Sequence, residues 1–356
     1  DDVTELISSI FRFGYYDPDY RLAGMRRPVM QTGRVIMHEG KPVSYIYAHD
    51  TGFSMFGCPV KVSSIGCVCT DAAYRNQGLA NAILSHHIER LAAAGVRLMI
   101  VSGGRGLYRR HHCVPAGRAY EAKLTPDLFR SPTEGLSIRR VTLADWPVLA
   151  PLYQAEPAHF IRPADLEQNL CFWWSCQRPD IYLVESDGRP VAYAALSEHR
   201  WRDEEGRWVS EYAGSRATLL DAMPLLFEAT GARLIVFAAL AQDRDLQYRF
   251  QRMGLELDRR TISGTMRIID LPGLMSDLKD YLAARLLERD LCRLSFEQDG
   301  ETCIFRVGEE SVALDLSAAA HLVCGGPEAP EIAGDLGRVL SAVFPLPTIQ
   351  PGFNYA

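Results

Sequence analysis

Two short stretches in the first third of the chain have residue types and spacing that could do chemistry. The first is Arg75-Asn76-Gln77-Gly78-Leu79-Ala80, which follows an apolar run, Val60 to Cys69, and leads directly into a helical pattern. A strand that feeds a small-residue loop and then a helix N-terminus makes an anion site. Its N–H groups point outward unpaired, the helix dipole favours negative charge, and Gly78 lets the backbone approach closely. The pattern is neither the dinucleotide GxGxxG nor the GxxxxGK[ST] phosphate loop. The second stretch is His111-His112-Cys113. Adjacent residues on a helix point about 100° apart, so the two imidazoles do not share one ion. No Cys/His/Asn set is legible that would make Cys113 an acyl-carrying nucleophile.

Stepping outward, the strand from Val60 to Cys69 extends a hairpin made by Arg34 to Met37, a turn at Glu39-Gly40, and Pro42 to Tyr47. Leu79 to Ala94 has helical period and stops at Gly95; Val96 to Val101 is a buried strand that ends in Ser102-Gly103-Gly104; and Leu107 to His111 begins another helical turn. Ahead of these, Asp1 to Phe13 reads as an amphipathic helix. After a break around Ser131 to Gly135 the order repeats weakly: strand Leu136 to Thr142, hairpin Ile181 to Leu196, strand Val209 to Ala213, helix Thr218 to Glu228, strand Arg233 to Ala238. Where the loop would recur stands Gly214-Ser215-Arg216-Ala217, so the anion cradle is missing from the second copy. Past a junction at Met266 to Asp270 come a helix over Leu274 to Leu287, three alternating strands, two more helices and a Pro-rich, aromatic tail from Phe344 to Ala356.

A length of 356 residues implies two or three domains, and 47% hydrophobic with 23% charged residues is the composition of a soluble globular protein. The net charge of −6 and the lack of a basic block beyond Arg105 to Arg118 exclude nucleic acid as an expected partner. The nine cysteines are scattered without zinc spacing, and Cys67 and Cys69 share one face of a strand, which reads as free thiols in a reducing compartment. No apolar run spans a bilayer and no signal peptide opens the sequence, so a cytoplasmic protein without membrane contact is expected. Phe172-Trp173-Trp174, Trp201 and Trp208 read as core packing rather than as a substrate cleft.

Val68 to Ala80 and Leu107-Tyr108-Arg109-Arg110 resemble GCN5-related N-acetyltransferases (GNAT). The order of a complete domain, a degenerate copy and a helix-plus-strands region resembles the enhanced intracellular survival (Eis) acetyltransferases, whose last domain is similar to a sterol carrier protein. That resemblance implies an α+β (α/β) fold with tandem GNAT-fold domains, each a mixed, largely antiparallel sheet flanked by helices. The implied boundaries are a catalytic domain at 1–131, a degenerate one at 132–270 and a sterol carrier protein-like domain at 271–356. It also implies an acyltransferase that moves an acetyl group from acetyl-CoA to a primary amine by direct attack, with no metal. The amine would be aminoglycoside-like, a polyamine or a lysine side chain, and the protein a homo-oligomer, a hexamer in that group. By position, Val68, Cys69 and Thr70 offer backbone N–H groups to the pantetheine and thioester oxygen. Arg75, Asn76, Gln77, Gly78, Leu79 and Ala80 cradle the pyrophosphate, with Asn81 next in line, and Gly103 and Gly104 permit close approach. Tyr108 is the implied general acid: a phenol with pKa near 10 can protonate a thiolate with pKa near 8.5. The implied base is the C-terminal carboxylate on Ala356; His111, His112 and Glu121 are alternatives that nothing in the sequence ranks. The chain departs from the family in carrying Asn76 in the loop where Arg or Gly is usual, Ala80 as its last small residue, and His112-Cys113 where Phe-Gly is usual. Such a domain also opens with a strand ahead of the first helix, which is missing here. The competing readings are a non-catalytic acyl-CoA sensor, which would tolerate loss of Tyr108, and a lipid-binding assembly protein working through the C-terminal region.

Overall fold

The computed structural model describes residues 2–11, 33–130, 133–162, 180–198, 206–261 and 264–354. Helix α1 (Asp2–Ile10) lays Leu6 and Ile7 on Tyr45, Tyr47 and Cys69 of the sheet beneath it. Strands β1 (Arg34–His38) and β2 (Lys41–Met55) are joined by Glu39-Gly40, both at positive φ (48° and 78°), the twist that two-residue hairpins favour. β2 and β3 (Cys58–Thr70) are joined in the same way through Phe56-Gly57, at 50° and 86°. Helix α2 (Leu79–Ala93) buries Ile83, Leu84, His87 and Leu91, one helical face, against β2 and β3. β4 (Leu98–Val101) is buried along its whole length, which is why it reads as a continuous apolar run. Then follow α3 (Gly106–Arg110), β5 (Val114–Pro115) and β6 (Ala119–Leu124).

The middle stretch, read from the sequence as a weak repeat, contains β7 (Leu136–Arg140), α4 (Trp146–Gln154), β8 (Ala158–Ile161), β9 (Asp180–Ser186), β10 (Arg189–Glu198) and β11 (Arg207–Gly214). It continues through α5 (Arg216–Asp221), α6 (Met223–Thr230), β12 (Ile235–Leu240), α7 (Arg244–Arg252), β13 (Asp258–Arg260) and β14 (Thr265–Ile268). The single helix expected over Thr218 to Glu228 is two. Pro224, which lacks an N–H, opens α6 and forces a fresh start at Met223.

Strand order ties the first and middle stretches together. One sheet runs β1-β2-β3-β4-β14-β5, with β8 also pairing β2; the other runs β13-β6-β12-β11-β10-β9-β7. Thus β6, next in the chain after β5, belongs to the second sheet, and β14, from the end of the middle stretch, returns to lie between β4 and β5. The stretch read from sequence as a junction, Met266 to Asp270, is therefore mostly a buried strand of the first sheet. Its four residues alternate polar and apolar, but a run this short with an arginine inside it is a weak local signal.

The remainder comprises α8 (Leu271–Asp277), α9 (Lys279–Ala283), α10 (Glu288–Leu291), an antiparallel meander β15 (Leu294–Asp299), β16 (Thr302–Val307), β17 (Glu310–Asp315), and α11 (Leu316–Cys324) with α12 (Gly334–Val343). Arg97, just before β4, forms ion pairs with Asp270 and Asp277 and fixes this part to the first sheet. One shared apolar core joins Val62 and Leu98 of the first sheet, Tyr193 of the second, and Phe305, Val339 and Phe353 of the last part. Among the described residues no helix is long and apolar enough to cross a membrane.

Candidate active site

Asp71 ends β3 and accepts the Ala73 N–H at 2.8 Å, starting a single 3-10 turn over Ala72–Tyr74. Arg75 folds its Nε onto the Thr70 carbonyl at 3.3 Å. Asn76 (φ 61°) and Gly78 (φ 77°) then turn the chain through the left-handed region into α2. Gly78 heads that helix without a side-chain cap, and a Cβ there would meet no atom within 4 Å. Arg75, Asn76, Gln77 and Gly78 are exposed, Leu79 and Ala80 half-buried. The result is an uncapped helix N-terminus on an open, glycine-faced surface, able to give N–H groups and dipole to an anion.

Beside it the sheet opens. β3 and β4 pair in parallel from Val62↔Leu98 to Ile65↔Val101; there β4 ends, while β3 continues to Thr70. On its other edge β3 carries a bulge: Tyr47 pairs Gly66 but Tyr45 pairs Cys69, and Cys67 sits at φ 48°. A bulge bends its strand and sharpens the twist, so β3 leaves the direction of β4 at the point where their ladder stops. Val68, Cys69 and Thr70 all lie beyond that last rung. Cys67 and Cys69 pack toward α1 while Val68 packs toward α2, in keeping with the shared face expected of the two thiols. Burial pushes the Cys69 thiol up to about 12, so it is no thiolate at neutral pH.

Tyr108, on α3, is buried, and that burial pushes its phenol up to about 12 against the opposing pull of Arg105. The ring lies on Gly103, where a Cβ would come within 2.9 Å of Cε2. Gly104 is less constrained, its nearest neighbour being Thr265 at 3.9 Å. Thr265 of β14 donates to the Gly103 carbonyl at 2.7 Å, and Arg267 of the same strand donates to the His111 carbonyl at 2.7 Å. The exchanged strand thus holds both ends of the turn that carries Tyr108. The His111 Nε2 lies 3.0 Å from the Asn81 Oδ1, joining this turn to the first turn of α2. Loop, open ladder and Tyr108 therefore form one contiguous site. Thr265 and Arg267 are supports that sequence reading missed, having no motif and lying some 160 positions away.

The remaining candidates fall elsewhere. Burial, followed by the Arg267 and Arg110 charges, lowers the His111 imidazole, which is neutral near pH 7. His112 turns to the last part of the chain, 2.9 Å from the Ser317 Oγ and 3.3 Å from Glu301. Cys113 is buried, its thiol raised to about 12. These three side chains face different partners, as neighbours on a tight turn must. Glu121 lies on β6 in the second sheet, in an ion pair with Arg260 at 3.2 Å. Ala356 lies outside the described residues, as do Phe172, Trp173, Trp174 and Trp201; Trp208 is half-buried on β11. In the second copy Ser215 caps α5 with its own hydroxyl, and Arg216 turns inward to Glu156 (2.5 Å) and Asp243 (2.8 Å). That helix end is satisfied from within and offers no cradle.

Residues 1–113 match the family model described as an acetyltransferase (GNAT) domain. No curated protein sequence matches the chain. Among solved structures, a GCN5-related N-acetyltransferase from Kribbella flavida aligns with a TM-score of 0.67 at 16% identity, covering 100% of this chain and 95% of the other. A conserved protein of unknown function from Enterococcus faecalis, described as a probable N-acyltransferase, aligns at 0.67 with 14% identity, covering 98% and 96%. Eis1 from Mycobacterium abscessus aligns at 0.57 with 12% identity, covering 95% and 85%. At these identities the likeness is one of fold. The part of the chain that holds the loop, the open ladder and Tyr108 is the part that matches the GNAT acetyltransferase domain model.

Proposed function

We propose that the protein is an N-acetyltransferase that moves an acetyl group from acetyl-CoA to a primary amine. The observation that carries this reading is the coincidence, in one place, of an uncapped helix N-terminus at Gly78, a strand pair that opens beyond Ile65↔Val101, and a buried, protonated phenol at Tyr108. The α2 N-terminus would hold the pyrophosphate, with Arg75 adding charge at the rim. Backbone N–H groups of Val68 to Thr70 would hold the pantetheine and polarise the thioester carbonyl. The amine nitrogen attacks the acetyl carbon, the carbon–sulfur bond breaks, and Tyr108 gives its proton to the departing sulfur. The proton lost by the amine passes to a base, for which the C-terminal carboxylate is the reading the family resemblance favours. Within this proposal the second GNAT-like copy, a sterol carrier protein-like region from Leu271 onward and assembly into an Eis-like homo-oligomer belong together. Aminoglycoside-like amines, polyamines and lysine side chains are the acceptor classes to try first.

The test is release of free coenzyme A thiol from acetyl-CoA across a panel of such amines. Amine-dependent release is the expected result. Binding of acetyl-CoA without release over the whole panel would replace this reading with that of an acyl-CoA sensor.

A further inference from the structure

β2 and β3 present two faces, and the first site is built on both. On β2, Ile46 and Ala48 share a core with Ile83, Leu84 and Tyr108, and Asp50 takes both terminal nitrogens of Arg90 on α2 (2.8 and 3.0 Å). The alternate residues Tyr45 and Tyr47 pack with Leu6 and Ile7 of α1 on the opposite face. Strand alternation puts His49 on that α1 face. Its ring lies 6.1 Å from that of Tyr47, the two planes 22° apart.

The two faces divide the reaction between them. The α2 N-terminus and Tyr108 belong to the first face, so a thioester whose pyrophosphate sits at Gly78 brings its sulfur to the opening from that side. With the sulfur leaving toward Tyr108, the amine reaches the acetyl carbon from the α1 face.

His49 stands on that face beside the opening. It pairs with Ser64 of β3; Ser64 pairs with Ile100 of β4, and the next rung, Ile65↔Val101, is the last of the ladder. From Ser64 to the bulge at Gly66-Cys67 is two residues, about 7 Å at strand rise. The imidazole is half-buried, and its ring nitrogens hold no hydrogen-bond partner among the described residues. Burial lowers its pKa against the pull of the Asp50 carboxylate, leaving it neutral near pH 7 and able to accept a proton. Its neighbours offer no such acceptor. Burial holds the Tyr45 phenol far above its ordinary value and the Cys69 thiol at about 12, and the rungs across β4 and β14 are Ile100 and Met266.

We propose that His49 is the catalytic base of the first site. The assignment rests on the acyl-transfer reading above and gives that reaction a base among the described residues. The attacking nitrogen becomes positively charged as its bond to the acetyl carbon forms, and the His49 imidazole takes a proton from it, directly or through one water. The carbon–sulfur bond then breaks and Tyr108 protonates the sulfur. Solvent carries the proton from the imidazolium back to the Tyr108 phenolate. On this account the proton need not travel to the C-terminal carboxylate.

Acetyl transfer to spermidine, kanamycin and free lysine, one amine from each acceptor class, tests it on the full chain, with acetyl-CoA binding followed by calorimetry. His49→Gln keeps a polar side chain at the position, and His49→Ala opens a space that imidazole can enter. Both should bind acetyl-CoA within about twofold of the unmodified protein and lose about 100-fold in kcat. Added imidazole should restore His49→Ala at least about tenfold and leave His49→Gln and the unmodified protein unchanged. Undiminished kcat, a loss that imidazole does not restore, or loss of acetyl-CoA binding together with turnover would overturn the proposal; the first of these would move the base to the C-terminal carboxylate. An unmodified protein that turns over none of the three amines would overturn the acyl-transfer reading, and the role of His49 with it.

Discussion

Tyr108 keeps its proton chiefly because its ring is buried, packed on Gly103. With the phenol at about 12, its ionisation removes no activity below about pH 11. A pH–rate profile should therefore show no alkaline fall attributable to Tyr108 across the neutral and mildly alkaline range. Tyr108→Phe should lower kcat about 100-fold with acetyl-CoA binding retained, measured by thiol release and by titration. Gly78 acts differently. Its φ of 77° is unfavourable for any L-residue, yet a Cβ there clashes with nothing. Gly78→Ala should cost about 1–2 kcal/mol of local strain, and Gly78→Val more, appearing chiefly as weaker acetyl-CoA binding. The role of Gly78 could be read from the strand–loop–helix pattern alone. That of Gly103 could not, because the ring it accommodates is met only in three dimensions.

At the scale of elements, α2 carries a buried imidazole at the heart of the first sheet. His87 has its Nε2 3.3 Å from the Ile46 carbonyl and its Nδ1 buried without a partner among the described residues. Burial lowers its pKa to about 4, below the value near 6.5 of an unfolded chain. Between those values the unfolded chain binds a proton that the fold excludes. Stability is therefore unaffected above pH 6.5 and falls as pH drops toward 4, by about 2 kcal/mol. Melting temperatures from pH 4 to 8 should show this slope, and His87→Leu should flatten it. The exchanged strand offers a second check. Gly264, at φ 70°, would place a Cβ 2.5 Å from the Val101 carbonyl, so Gly264→Ala should destabilise the protein by about 2–3 kcal/mol. Hairpins and helices with strong local period, such as β1–β2 and α2, were legible because their residues specify them locally. β14 was not: Thr265 to Ile268 becomes a strand only because β4 and β5 await it across the chain. The split at Pro224 was readable from proline chemistry and was passed over in favour of the apolar period.

At the scale of the whole molecule, β6 and β14 cross between the two sheets, and the tail hydrogen-bonds to β11 of the second sheet while it packs on the shared core. Residues 1–113 carry the chemistry-bearing motifs but lack β14, which supports Gly103 and the His111 carbonyl. A fragment ending there should lose cooperative unfolding and acetyl-CoA binding together. The two sheets set the most direct test of the account. The first opens beside an uncapped helix; in the second, the tail is bonded to β11 through Gln350 and Phe353, next to a helix end already capped by Ser215. Calorimetric titration of the full chain with acetyl-CoA should give one site per chain, lost or strongly weakened in Gly78→Val and unchanged in Gln350→Ala. No binding, two sites per chain, or binding indifferent to Gly78→Val would contradict it.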